Sequence, residues 1–253
     1  MNGPHWLAAA LTIAMAGSAQ AGEEVAATPY RPTVANPAEL PAPGWLEIEA
    51  GWLRNAGDGP TRNALPYTAK LAFNEDWGIL LGGELWVRER NDGEAIRGRG
   101  DTSLVLKHRI AVDARRAFGI EAGVNLPTAE DGLGSGKPDW TLTGIYSVDF
   151  AEDWRLDVNA GATRVGAPED GEGRVAGSWA ASVSHGMDAW TLAGELSGSH
   201  RRGAADTVQA LTAVGYAVTP RVVLDAGISV GREGSAAQHA LFFGVTWLAG
   251  KLF

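Results

Sequence analysis

From Trp154 the chain alternates apolar and polar residues one by one. Trp154, Leu156, Val158, Ala160 and Ala162 share one parity; Arg155, Asp157, Asn159, Gly161 and Thr163 share the other. Successive strand side chains point to opposite faces, so this stretch predicts a strand with one apolar and one polar face. Twelve such runs follow Gly44, at 45–54, 66–74, 77–88, 101–112, 117–126, 139–150, 154–165, 174–184, 189–200, 206–218, 221–232 and 238–250. Most are 10–12 residues long. Soluble strands are more often about five or six residues, whereas a tilted strand crossing a membrane needs about 9–11.

The connections alternate as well. Short ones fall at Asn74–Trp77, Asp113–Arg116, Ala151–Asp153, His185–Asp188 and Thr219–Pro220. Between them lie longer Gly- and charge-rich ones: Asn55–Leu65, Glu89–Gly100, Pro127–Pro138, Gly166–Gly173, Arg201–Ala205 and Glu233–Ala237. Short turns at one end and long loops at the other are the organisation of an outer-membrane barrel. The fold predicted for residues 44–253 is therefore all-β: a transmembrane antiparallel up-and-down β-barrel of about 12 strands.

In such a barrel the apolar parity faces lipid. Acidic short turns lead into Trp77, Trp154 and Trp190; with Trp247 in the last strand these predict an aromatic girdle at the headgroup level. The last strand, HALFFGVTWLAGKLF, places Ala249, Trp247, Val245, Phe243 and Leu241 on the parity of Phe253, with Lys251 breaking the series. An alternating final strand that stops on an aromatic resembles the signal read by the barrel-assembly machinery, with Phe253 as its terminal residue. The polar parity then lines a lumen: Glu47, Glu49, Lys70, Glu84, Arg88, Asp101, Lys107, Arg109, Glu121, Asn125, Arg155, Asp157, Asn159 and Glu195. Both signs occur, so the lining can pair internally. The later strands offer Ala176, Ser178, Ala180 and Ser182, then Gln209, Leu211, Ala213 and Gly215, then Ala240, Phe242 and Gly244. One wall is thus charged and the other small and partly apolar, which suits an amphiphilic solute.

Composition narrows the picture further. The 253 residues carry 21 Lys and Arg against 30 Asp and Glu, a formal charge of −9. That balance argues against nucleic acid, which is held through phosphate neutralisation. There is no cysteine, which removes disulfides, thiolate metal sites and a catalytic thiol. Residues 1–21 end in Ala19-Gln20-Ala21 after the apolar run Trp6–Ala16 and read as a secretory signal peptide, although the first residues lack Lys and Arg. Residues 22–43 hold five of the 12 prolines, at 29, 32, 37, 41 and 43, and predict an extended arm or a plug inside the barrel.

No catalytic constellation emerges. A nucleophilic Ser needs a base within hydrogen-bond reach, yet His108 and His239 share the apolar parity, His185 falls in a short turn and His200 at a loop edge. GLGSGK at 132–137 is one residue short of a phosphate-binding loop, and Pro138 replaces its Ser or Thr. No metal-ligand spacing is present, and no cofactor is expected.

Four stretches carry a resemblance. They are GRGDTSLVLKHR at 98–109, EAGVNLP at 121–127, GLGSGKPDWTLTGIYSVDF at 132–150 and WRLDVNAGATRVG at 154–166. Their order resembles the outer-membrane family named for the meta-pathway of phenol degradation. The carriers are the Gly100-Asp101 step, Lys107-His108-Arg109 (with His where an aromatic is usual) and Leu126-Pro127. The resemblance implies a barrel porin or transporter of the bacterial outer membrane, for small solutes that include aromatic or hydrophobic compounds, and no catalytic residues. The alternative is a closed structural barrel, and behind it a barrel enzyme acting on lipid.

Overall fold

The computed structural model describes residues 25–253. The expected signal peptide, 1–21, lies outside the described residues, as do the first three residues of the arm. The described chain folds into thirteen strands. These are β1 (Trp45–Gly57), β2 (Thr61–Ala72), β3 (Trp77–Asn91), β4 (Glu94–Gly98), β5 (Thr102–Ala111), β6 (Arg116–Leu126), β7 (Asp139–Ala151), β8 (Trp154–Arg164), β9 (Val175–Met187), β10 (Trp190–Arg201), β11 (Thr207–Thr219), β12 (Val222–Glu233) and β13 (Ala236–Lys251). Each pairs antiparallel with its neighbours, and β1 also pairs with β13 from Trp45↔Lys251 to Gly57↔Gln238. Twelve strands close the ring. The thirteenth, β4, is a short extension paired only to the far end of β3.

The faces are inverted relative to a soluble barrel. Leu104, Leu106, Phe118, Leu142, Val158, Leu192, Leu224 and Phe243 are exposed outside, while Glu47, Glu49, Lys70, Lys107 and Asp157 are buried inside. Closure satisfies every ladder, and such an exterior is stable only against hydrocarbon.

Two connections are tighter than the sequence suggests. Asn55–Leu65 is mostly strand: β1 and β2 continue to a hairpin at Gly57–Thr61. Glu89–Gly100 is an arm-like hairpin turned at Asp92 (φ 46°) and Gly93 (φ 90°), positive angles that favour an Asp-Gly pair.

The missed signal is Pro66, which lies within β2 and not at its start. Between Ala64↔Val87 and Pro66↔Glu84, β3 spends one residue more than β2. Proline cannot donate to the ladder and is tolerated at such bulges. The bulge inverts the parity of β3 beyond Glu84, so Val87 turns inward and Arg88 outward. A second bulge, at Ala249, separates Glu47↔Leu248 from Leu46↔Gly250. Up to Leu248, which is buried inside, the parity counted back from Phe253 holds; beyond the bulge it inverts, and Lys251 falls opposite Trp45, off the apolar face.

At the short-turn end, Trp77, Trp154, Trp190 and Trp247 are all exposed on the outer face, each about half or slightly more buried by its neighbours. Trp77 stacks on His108 directly across the ladder, with ring centres 4.1 Å apart, and Trp154 stacks likewise on His185 at 4.3 Å. His185 therefore lies in β9 and not in a turn. The imidazole Nδ1 atoms lie 3.1 and 3.2 Å from the carbonyls of Asp76 and Asp153. A carbonyl only accepts, so Nδ1 carries the proton in both rings.

The candidate solute path through the lumen

The lumen is shared between the charged side chains and the Pro-rich segment. Residues 25–44 form no helix or strand, yet Tyr30, Ala35, Ala38 and Pro41 are buried. With their own backbone groups unpaired in any ladder, they use the barrel wall instead. Thr28 N donates to Glu47 (2.7 Å), Tyr30 N to Glu49 (2.7 Å), Val34 and Ala35 N both to Glu195 Oε2 (2.8 Å each), and Ala38 N to Ser147 Oγ (2.8 Å). Lys70 and Lys107 donate back to the carbonyls of Thr28 and Pro37. Arg31 reaches across to Asp225 through Nε and Nη2, both at 3.1 Å.

The wall charges also pair with one another. Lys70 Nζ lies 2.6 Å from both Glu47 and Glu49, and Lys107 Nζ 3.0 Å from Glu121. Arg155 joins Asp157, Asp149 and Glu39 of the arm. Asn36 donates to Glu121, and Asn159 to the Asn36 carbonyl. Arg109 borders a cavity near Glu39 and Glu75 at the short-turn mouth. At the opposite mouth Glu84 pairs with Arg62 (2.5 Å).

Asp101, just before β5, gathers the N–H groups of Ala129 and Ser135, the Ser135 hydroxyl and the Asn125 amide. Burial alone would raise its carboxyl, but those four donors hold it below the ordinary value. The loop so tied inserts Leu133 against Ala64 and Val87 inside the rim. Arg88 is the one predicted lining residue that the structure places elsewhere. The Pro66 bulge turns it to the outer face, beside Trp52, Arg54, Trp86 and Arg90.

Loop 127–138 and the arm thus occupy much of the lumen beside β1–β8, and the arm also crosses to Glu195 and Asp225 on the other wall. Open space remains along β9–β13. Toward the long-loop end is a cavity of about 680 Å³, bordered on this wall by Ser178, Ala180, Ser197, Gln209, Ser229 and Ala240, and floored by Val34 and Asn36. Toward the short-turn end is one of about 170 Å³, bordered by Ser182, Ala193, Ala213, Asp225 and Thr246 and by the arm prolines 29, 32 and 37. One layer of inward positions divides them: Glu195, Leu211, Gly227 and Phe242. The Phe242 ring lies over Gly227 so closely that a Cβ there would be 2.5 Å from its Cζ. Phe242, Leu211 and Ala213 form an apolar cluster with Leu53 packed against it. The small and partly apolar positions of the later strands therefore border the open space, and this dividing layer could not be located from sequence.

A closed antiparallel barrel with an apolar exterior and a charged, partly occupied interior defines a transmembrane β-barrel of the outer-membrane kind. The chain belongs to the family described as "Putative MetA-pathway of phenol degradation", whose model matches residues 51–249. No curated protein matches it in sequence. Among solved structures it is similar to an outer membrane channel from Pseudomonas putida F1, with 13% identity and a TM-score of 0.69 over 83% of this chain and 97% of that one. It is also similar to the NanC porin (10% identity, TM-score 0.58, covering 80% and 98%). A third is the CymD monoaromatic hydrocarbon channel (10% identity, TM-score 0.53, covering 83% and 90%). At these identities the likeness is one of fold.

Proposed function

We propose that the protein is a bacterial outer-membrane channel for small amphiphilic solutes, aromatic compounds among them, exported by its N-terminal signal. The solute passes along the β9–β13 wall, beside the arm. The observation that carries this reading is the pair of cavities on that wall, divided only by the Phe242 layer and the Val34–Ala35 contact with Glu195. Hydroxyl, amide and charged side chains border the larger space, and Leu211 and Phe242 stand beside Glu195 in the dividing layer, so a molecule with one polar and one apolar end meets both kinds of surface along the path. The family description and the monoaromatic channel among its structural relatives support the aromatic class.

The test is single-channel conductance of the folded barrel in a planar bilayer, after heat-modifiable gel mobility has confirmed folding. Discrete current steps that grow when residues 25–38 are deleted support a channel narrowed by its own arm. A folded barrel that stays silent before and after the deletion identifies a closed structural barrel instead.

A further inference from the structure

The outer wall carries one basic cluster that the lumen does not explain. Arg54 of β1 and Arg88 and Arg90 of β3 surround an outward recess of about 320 Å³, flanked by Trp52 and Trp86. Arg54 and Arg88 both stand opposite Asn63 of the intervening strand, which sets their backbones about 10 Å apart. Among the described residues no carboxylate pairs with any of the three. The nearby acids, Glu84 and Glu89, turn inward to Arg62 instead. Arg88 Nε is buried without a hydrogen-bond partner. The Pro66 bulge thus sorts the charges of β3, acids to the lumen and bases to the outer face.

Three unpaired guanidinium groups on a lipid-facing wall are costly at mid-membrane and tolerated near the interface. These lie toward the long-loop end, next to the Gly57–Thr61 hairpin. Guanidinium forks match phosphate oxygens, and indole rings settle at headgroup depth. We propose that this recess binds the phosphorylated headgroup of an outer-leaflet glycolipid. Arg54, Arg88 and Arg90 hold its phosphates, and Trp52 and Trp86 border it. The proposal rests on the outer-membrane reading, not on conduction.

The test titrates the folded full chain in detergent with lipopolysaccharide, its enzymatically dephosphorylated form or inorganic phosphate, and reads bound lipid by native mass spectrometry. The expected result is retention of the phosphorylated glycolipid, weakened at least ~10-fold by dephosphorylation or by combined Arg54→Gln, Arg88→Gln and Arg90→Gln. Arg164→Gln, an exposed outer-face arginine at the same end, should leave binding unchanged. Equal binding of the dephosphorylated lipid, equal loss in Arg164→Gln, or full displacement by inorganic phosphate would overturn it. Should the triple variant not fold, Arg88→Lys serves in its place. It keeps the charge but loses the fork, so binding should fall several-fold, and unchanged binding would count against the site. A silent barrel that still binds the lipid would refute the channel and leave this site standing.

Discussion

Lys70 Nζ lies 3.7 Å from the centre of the Tyr30 ring, and Lys107 Nζ lies 4.1 Å from the same centre. Both lysines are fully buried, each is matched by a wall carboxylate, and the ring they share belongs to the arm. A cation over a desolvated aromatic face is worth about 2 kcal/mol. Tyr30 therefore pins the arm through its ring, with its hydroxyl bonded to the Glu39 carbonyl at 2.5 Å as a second tie. Tyr30→Ala should release the arm and raise single-channel conductance. Tyr30→Phe keeps the ring and should change it little. Equal conductance in Tyr30→Ala and the parent would show that the arm is held elsewhere.

Lys70 has a further role, because it neutralises two buried carboxylates at once. Lys70→Met leaves Glu47 and Glu49 close together without a counter-charge, and breaking a buried pair in this way costs about 3–5 kcal/mol. A urea titration followed by gel mobility should show that loss. Adding Glu47→Gln and Glu49→Gln to the same chain should recover most of it.

Facing can be tested on one ladder. Val158 of β8 is exposed on the outer face at mid-strand, and Ser178 of β9 borders the large cavity. Val158→Arg should cost about 2–4 kcal/mol, the value for a charge at the membrane midplane, while Ser178→Arg should be tolerated. Asn159 is a poorer control than its parity suggests, because its amide holds the Asn36 carbonyl. Similar losses for Val158→Arg and Ser178→Arg in a folding titration would contradict the inside–outside assignment.

The barrel was legible because its rule is local. A period of two, long runs and lopsided connections reveal strands and facing without knowledge of partners. Facing failed where the period itself breaks. Arg88 lies beyond a bulge whose only local sign is Pro66 inside a run, and Lys251 lies beyond the bulge at Ala249. The internal path was less accessible. Ala35 and Glu195 are 160 residues apart in sequence, and Arg31 and Asp225 are 194 apart. Such pairings depend on where the arm enters, which no periodicity encodes. The Phe242 layer likewise depends on which inward positions the arm and loop 127–138 leave uncovered.

Loop 127–138 should respond to acid. The Asp101 carboxyl is held below its ordinary value by its four donors, so the folded loop favours the ionised form. A depressed folded value contributes stability that is present above the unfolded value, about 3.9, and is lost as pH falls through the folded one. Hydrogen exchange at Ala129 and Ser135, measured between pH 6 and pH 3, should show protection falling only below about pH 4. Asp101→Asn should show the low protection at every pH. Protection that persists to pH 3 in the parent would remove Asp101 as the tie.

On the proposed path Phe242 is the bulkiest side chain of the dividing layer, and its surroundings make the consequence of removing it specific. The ring occupies space that inward Gly227 leaves vacant, and Leu211 and Leu53 complete an apolar collar next to Glu195. Phe242→Ala removes the bulkiest member from a small cluster partly open to the lumen. Its stability loss should therefore fall at or below the low end of the usual 3–5 kcal/mol for a core aromatic. The opening left behind is flanked by the Glu195 carboxylate and should admit ions more readily. Conductance should rise, while discrimination in favour of an aromatic solute over a sugar of similar size should fall in a liposome-swelling assay. Phe242→Leu keeps an apolar collar and should preserve that discrimination. If Phe242→Ala leaves both conductance and discrimination unchanged, the solute does not pass along this wall, and the path lies between the arm and the charged side of the barrel.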